Sequence, residues 1–471
     1  MAVFGTSGIR DLSPSIVSPA LAMRVGQLVG KPGRPVVAGY DGRRTGGMLR
    51  AALMAGAAGA GSPVLDIGLC ATPTLAWFCQ LQAEKLEAGL PKTTSAPRAY
   101  GAMITASHNP PEYNGIKLFC DGREMPKEEE NRIEAALGGA GAAGQKRAAE
   151  AMPAVSWDMA GAVTDAREQA KAAHLQLLLS KIDAGAIRLR APKVVVDCGN
   201  SAACALAPQA LAAAGCQVEV LNGTPGEPYG RALEPNEKSL GSLAEAVRKF
   251  GADIGIAHDG DADRAIILDE KGAMLGLDVQ LALAVKEELH REGRTGTSVV
   301  STVESSLALR ELVEAARGKL EITPVGSLHV AARMRELGAR FGGEPCGEYL
   351  FPGGAGVPDG LMTGLYFVQM FCKNGQLSGQ ASGIARYPVA REKIPCPNGK
   401  KEKAMAAIAK RWPYPSPSRL DGLRSDTPDG WVLVRPSGTE PFVRITAEAR
   451  NGKKLEEMLA RVRPVVEKAC G

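Results

Sequence analysis

Three aspartates, Asp259, Asp261 and Asp263, alternate in the run His258-Asp259-Gly260-Asp261-Ala262-Asp263-Arg264. Carboxylates this close repel unless a cation joins them, and a hard cation such as Mg²⁺ takes oxygen ligands and commonly shares its shell with a phosphate. The run lies between two apolar, strand-like stretches, Ile254 to Ala257 and Ala265 to Leu268, which favours a buried loop over a solvated acidic face. An EF-hand shares the first three acids and finds Glu270 at its twelfth position, but its sixth is Arg264 where glycine is required. A phosphatase with an aspartyl nucleophile also places Asp-x-Asp after a strand, yet it leaves Asp263 and Arg264 without a task.

Three further loops suit other parts of a phosphoryl transfer. Thr105-Ala106-Ser107-His108-Asn109-Pro110 follows the strand-like Ala102 to Ile104, so Ser107 sits at a strand's carboxyl end, where α/β folds place ligands and where a serine can act as a nucleophile. The competing reading is a turn in which Ser107 and Asn109 only cap backbone groups. Gly342-Gly343-Glu344-Pro345-Cys346-Gly347 offers close backbone approach and one carboxylate for sugar hydroxyls, or is simply a glycine-rich turn. Arg435-Pro436-Ser437-Gly438-Thr439-Glu440-Pro441, with Arg444 beyond, combines an arginine, two hydroxyls and backbone amides in a nest suited to a phosphate dianion. As a plain surface loop between strands it needs no ligand.

These loops must be held by an α/β framework. Short apolar runs at residues 35–38, 101–104, 193–196, 254–257 and 297–300 precede Gly/Asp-rich turns and Ala/Leu-rich helical stretches. Leu206 to Ala214 reads as a helix stopped by Gly215, and Gln217 to Leu221 as the next strand. The tail carries strands at Trp431 to Val434 and Val443 to Ala447 and a closing helix from Lys453 to Cys470. The expected organisation is an α/β domain at 1–151, a second at 152–271, a third at 272–385 and a smaller α+β domain at 386–471, the three larger ones having mixed sheets. A chain of 471 residues fits three to four units at ~150 residues each.

Composition narrows the partners. Aromatic residues are only 4% and the net charge of +5 is scattered, so a nucleic-acid platform is not expected. No stretch reaches the ~18 apolar residues of a membrane span, and ten cysteines without CxxC spacing fit reduced thiols. A cytoplasmic protein, monomeric or homodimeric, is the expectation.

Taken in order, the loops resemble the α-D-phosphohexomutase family, which includes phosphoglucomutase, phosphomannomutase and phosphoglucosamine mutase. Phe4-Gly5-Thr6-Ser7-Gly8-Ile9-Arg10 is similar to its amino-terminal signature, Thr105 to Pro110 to its phosphoserine loop and Asp259 to Arg264 to its metal loop. The Glu344 loop resembles its sugar-binding loop, and Arg435 to Pro441 its phosphate-binding loop. The resemblance implies four domains around one cleft and interconversion of hexose 1- and 6-phosphates through a hexose 1,6-bisphosphate. It implies that Ser107 bears the phosphoryl group and that Asp259, Asp261 and Asp263, with Ser107, hold one Mg²⁺. Arg264 then steadies the transferring charge, Arg10 of the amino-terminal signature joins the catalytic set, and Lys117 is the candidate general acid/base with His108 as the second. Glu344 and Cys346 would face the sugar, while Arg435, Ser437, Gly438, Thr439 and Arg444 would grip the distal phosphate.

The chain departs from the family at Cys346, where serine or asparagine is usual, at Asp11 and at Ser327. Two other functions fit the same loops: a phosphosugar-binding regulator that has lost catalysis, and a metal-dependent sugar phosphatase.

Overall fold

The valine run in Lys193–Asp197 is buried beyond its first residue, as a strand covered on both faces must be. Its parallel neighbours are Gln217–Leu221 and Ile254–His258, and Ala265–Leu268 adds antiparallel to the latter. The Asp259 to Arg264 turn therefore joins two adjacent strands.

The computed structural model describes residues 8–87, 98–138, 155–226, 228–290, 296–354, 356–415, 417–437 and 440–471. The chain forms two compact units, Met1–Leu275 with Glu348–Ser378, and Gly276–Gly347 with Gly379–Gly471. The first unit holds the sheet just described and a larger mixed one. In that sheet Val36–Tyr40 runs parallel to Val64–Leu69 and to Tyr100–Ile104, and the hairpin partner Tyr113–Cys120 returns antiparallel and carries Ile9–Leu12 on its other edge. The core behind it gathers Val25, Leu49, Leu53, Ile104 and Ile116. Beyond the strand carboxyl ends, Asp41 and Ser107 stand in loops and Thr72 opens the helix Thr72–Glu87.

In the second unit, Ser298–Thr302 lies parallel to both Lys319–Thr323 and Phe341–Gly343. The tail forms a wholly antiparallel sheet in the order Val389–Pro395, Phe442–Ala449, Gly430–Pro436, Leu423–Thr427. Helix Gly452–Cys470 covers it, capped by the Asn451 side chain and burying Leu455, Met458, Leu459, Val462 and Val466 at helical spacing. The expected class, α/β domains with mixed sheets plus a smaller α+β domain, is what the chain adopts.

Local boundaries differ where backbone chemistry intervenes. The helix expected from Leu206 spans Ala207–Ala214, because Ala202–Ala205 forms a separate 3₁₀ turn and Leu206 stands outside helical angles ahead of Pro208. Gly215 does stop it, at φ 112°. No helix among the described residues is long and apolar enough to cross a membrane.

Candidate active site

Ser107 follows Tyr100–Ile104 in a loop bent back so sharply that its own φ is 50°, a left-handed value uncommon for serine. One side chain holds that bend. The guanidinium of Arg43, itself 1% exposed, donates to the carbonyls of Ser107 (2.7 Å), Asn109 (2.8 Å), Pro110 (2.8 Å) and Tyr113 (2.9 Å), and its Nε pairs with Asp41 at 3.0 Å. Thr105 Oγ1 donates to Asp41 at 2.7 Å and accepts the Ser107 amide at 2.8 Å. The loop is thus fixed from below, and the Ser107 hydroxyl is left facing the aspartate turn.

That turn meets it directly. Ser107 Oγ donates to Asp259 Oδ2 at 3.0 Å and lies 3.2 Å from His108 Nδ1. Asp259, Asp261 and Asp263 are all buried, and each offers an oxygen within 4.8 Å of the others. Asp261 Oδ2 accepts from Thr72 Oγ1 and from Lys117 Nζ, both at 2.7 Å, and Lys117 also reaches Asp263 Oδ2 at 2.9 Å. Asp261 Oδ1 and Asp263 Oδ1 are buried without a hydrogen-bond partner. Such oxygens are costly to bury unless something positive sits beside them, and a three-carboxylate set of this kind fits an Mg²⁺-like ion.

The electrostatics agree. Burial, with Asp263 and Asp261 beside it, pushes the Asp259 carboxyl well above its ordinary range. Burial works on Asp261 in the same direction, but Lys117 and Thr72 overcome it and hold that carboxyl low. Burial disfavours charge on Lys117, yet Asp261 and Asp263 outweigh it and keep the ammonium charged. Burial and the nearby Arg264 lower the His108 imidazole to about 4. Arg264 itself is fixed by Glu348 (2.8 Å), with Glu234 at 3.4 Å. Arg10, on Ile9–Leu12, acts on Lys117, His108 and Asp261 through its charge and buries an unpartnered Nε. Seven of the expected site residues, Ser107, His108, Lys117, Asp259, Asp261, Asp263 and Arg264, with Arg10 beside them, therefore share one locale.

The remaining expected residues lie in the second unit. Glu344 is 4% exposed and accepts the Gly326 amide at 3.1 Å, joining its loop to the Val325-Gly326-Ser327 turn, and Cys346 is half-buried. Arg435 and Arg444 face each other across neighbouring strands. Arg435 pairs with Glu304 at 3.1 Å and with Asp421 at 2.9 Å, and Arg444 pairs with Glu440 at 2.5 Å. Ser437 closes its own loop, accepting the Glu440 amide at 3.1 Å. Gly438 and Thr439 lie outside the described residues, as does most of the Phe4 to Arg10 signature.

Four residues of this locale escaped the sequence reading: Arg43, Asp41, Thr72 and Ser201. Ser201 Oγ lies 2.5 Å from the Asp41 carbonyl and 2.7 Å from the Gly260 carbonyl, so it ties the two halves of the site. All four stand just beyond the carboxyl end of a parallel strand, and that position was the available signal.

Known proteins share this arrangement of the chain. Sequence models described as phosphoglucomutase/phosphomannomutase alpha/beta/alpha domains I, II and III match residues 1–141, 172–272 and 278–387, and the C-terminal domain of the same series matches 392–465. A protein of Methanopyrus kandleri named "Probable phosphoglucosamine mutase" is 38% identical over 97% of this chain and 95% of its own. The crystal structure of a phosphoglucomutase/phosphomannomutase family protein from Burkholderia thailandensis superposes with a TM-score of 0.81 at 26% identity, covering 100% of this chain and 98% of that one. An N-acetylphosphoglucosamine mutase from Aspergillus fumigatus, solved with GlcNAc-6P and magnesium, shares the fold at a TM-score of 0.58 and 15% identity, over 100% and 96% of the two chains.

Proposed function

This chain belongs to the phosphoglucomutase/phosphomannomutase family, and on that premise we propose that it interconverts hexose 1- and 6-phosphates through a phosphorylated Ser107 and a hexose 1,6-bisphosphate. The observation that carries the proposal is the 3.0 Å contact between Ser107 Oγ and Asp259 within a buried trio of carboxylates. Glucosamine phosphate is the favoured substrate, supported by the names of the relatives at 35–38% identity.

The proposed chemistry moves one phosphoryl group at a time. In the first half, the Ser107 Oγ–P bond breaks as the free hydroxyl of the sugar monophosphate forms its own O–P bond, and a proton leaves that hydroxyl while Ser107 Oγ regains one. The second half runs the same exchange from the other end of the bisphosphate, so phosphoserine is restored. Lys117 and His108 are the candidates for the proton exchange: the Lys117 ammonium, anchored on Asp261 and Asp263, is charged and so poised to donate, and the His108 imidazole, 3.2 Å from Ser107 Oγ, is lowered to about 4 and so poised to accept. Arg264, held by Glu348, and Arg10 offset the charge of the group in flight. Asp259, Asp261 and Asp263 would hold Mg²⁺, which when bound neutralises phosphoryl charge. Glu344 and Cys346 are assigned to the sugar, and Arg435, Ser437, Gly438, Thr439 and Arg444 to the phosphate that is not reacting.

The test is turnover of glucosamine, mannose and glucose phosphates with Mg²⁺ and a trace of the matching bisphosphate. The expected result is isomerisation of at least one substrate, lost in Ser107→Ala, with the wild-type protein one phosphate heavier by intact mass until sugar monophosphate is added. Release of inorganic phosphate as the main product would replace the mutase with a phosphatase, and binding without turnover would leave only a sensor.

A further inference from the structure

His174 lies fully buried on the helix Arg167–Ser180, and the proposed chemistry gives it no task. Both its ring nitrogens are engaged: Nδ1 lies 2.7 Å from Thr74 Oγ1, and Nε2 donates to Asp359 Oδ2 at 3.0 Å. Thr74, buried as well, stands in the first turn of Thr72–Glu87. Asp359 is the N-cap of Gly360–Asn374, where its Oδ1 accepts the Met362 amide at 3.0 Å. The imidazole is therefore a strut between the first turns of two helices.

Those two helix starts grip the aspartate turn. The Thr72 amide donates to the Asp261 carbonyl at 2.9 Å, beside the Thr72 hydroxyl on Asp261 Oδ2, and the Gly360 amide donates to the Ala262 carbonyl at 3.2 Å. A Cβ on Gly360 would strike the carbonyl oxygen of Arg264, so this helix begins in direct contact with the backbone of the turn. Adjacent carbonyls of one short turn thus take the first amides of both helices, and the aim of the carboxylates depends on how far apart the helix starts stand. Between Asp261 and Asp263, Ala262 holds a φ of 57°, a left-handed value that alanine keeps only where its surroundings impose it.

We propose that His174 is a positioning residue for this turn, holding the two helix starts at the separation that brings Asp259, Asp261 and Asp263 together on one cation. It touches no reacting atom and acts through Thr74 and Asp359. An apolar side chain would fill the same space without fixing a distance, whereas a ring hydrogen-bonded at both ends sets one. The effect on the cation rests on the reading of the three aspartates as a Mg²⁺ site; the positioning of the turn does not.

Full-length wild-type, His174→Gln, Thr74→Val and Thr74→Ser proteins are compared by calorimetric titration with Mg²⁺ and, without metal, by hydrogen–deuterium exchange. Glutamine lacks the second ring nitrogen, valine removes only the Thr74 hydroxyl, and serine keeps it. The expected result is a Mg²⁺ Kd raised about tenfold or more in His174→Gln and Thr74→Val, with faster exchange at residues 258–264. Thr74→Ser should match the wild type, and exchange across the strand Gly430–Pro436 should stay unchanged in all four. If His174→Gln fails to fold, the two Thr74 variants carry the comparison. Wild-type exchange at 258–264 in Thr74→Val, or a rise shared equally by Gly430–Pro436, overturns the positioning role, since a merely structural contact would loosen the fold without singling out the turn. Faster exchange with an unchanged Kd overturns the link to the cation. If the wild-type protein binds no Mg²⁺, the metal reading fails while the exchange at 258–264 still decides what His174 positions.

Discussion

A Cβ on Gly260 would lie 2.1 Å from the carbonyl oxygen of Ser107, so the serine loop rests directly on the backbone of the aspartate turn. No other residue type permits that approach, and it sets the spacing between Ser107 Oγ and Asp259. Gly260→Ala must therefore push the loops apart. A displacement near 1 Å at a reacting centre can lower a rate by about 10²-fold, and kcat should fall by at least that much while far-UV circular dichroism stays unchanged. A variant with wild-type kcat would show that the contact does not position the serine.

Arg43 uses every donor of its guanidinium on Asp41 and four loop carbonyls. Arg43→Ala leaves Asp41 buried without its cation and should destabilise the fold by ~3–5 kcal/mol in urea denaturation. Arg43→Lys restores the charge but cannot reach four carbonyls, so it should recover much of the stability and little of the turnover.

Divalent cation should matter for stability as well as rate. The partnerless oxygens of Asp261 and Asp263 predict that Mg²⁺ raises the melting temperature and that Asp263→Asn removes the increment in a thermal-shift titration. Thr72→Val deletes the hydroxyl that orients Asp261 and should weaken Mg²⁺ binding by about 10–100-fold in the same titration.

The tail sheet carries a pH dependence of its own. Burial works against ionised Asp426, but Arg424 at 2.8 Å and Arg310 at 2.7 Å overcome it and hold the carboxyl below its usual value of 3.8. A depressed folded-state value means that the stabilisation is complete above about pH 4 and disappears as the pH falls through the folded value. Asp426→Asn should therefore lower the urea midpoint at pH 7, and by progressively less as the pH falls below about 4.

Much of this was legible from the chain. Asp259, Asp261 and Asp263 announced themselves because three like charges at alternate positions in a loop between apolar strands have no easy structural excuse, and the alternation of Val/Ile runs with Ala/Leu-rich stretches fixed the class. Arg43 and Thr72 did not, since an arginine in a loop or a threonine at a helix start is ordinary until folding brings Ser107 or Asp261 beside it. The sequence likewise offered no sign that Arg435, expected to await a phosphate, is already paired with Asp421 and with Glu304, the latter 131 residues from it along the chain. Such long-range pairings leave no spacing to read.

That last pairing bears on how a mutase lets go. An arginine with two carboxylates in hand takes up an incoming dianion only by trading them away, so the net gain per encounter is small and departure is quick. On the proposed mechanism the bisphosphate carries a phosphate dianion at each end and has to swap ends before its second reaction, so a loose handhold of this sort would serve better than a tight one, and removing Glu304 is expected to slow that swap.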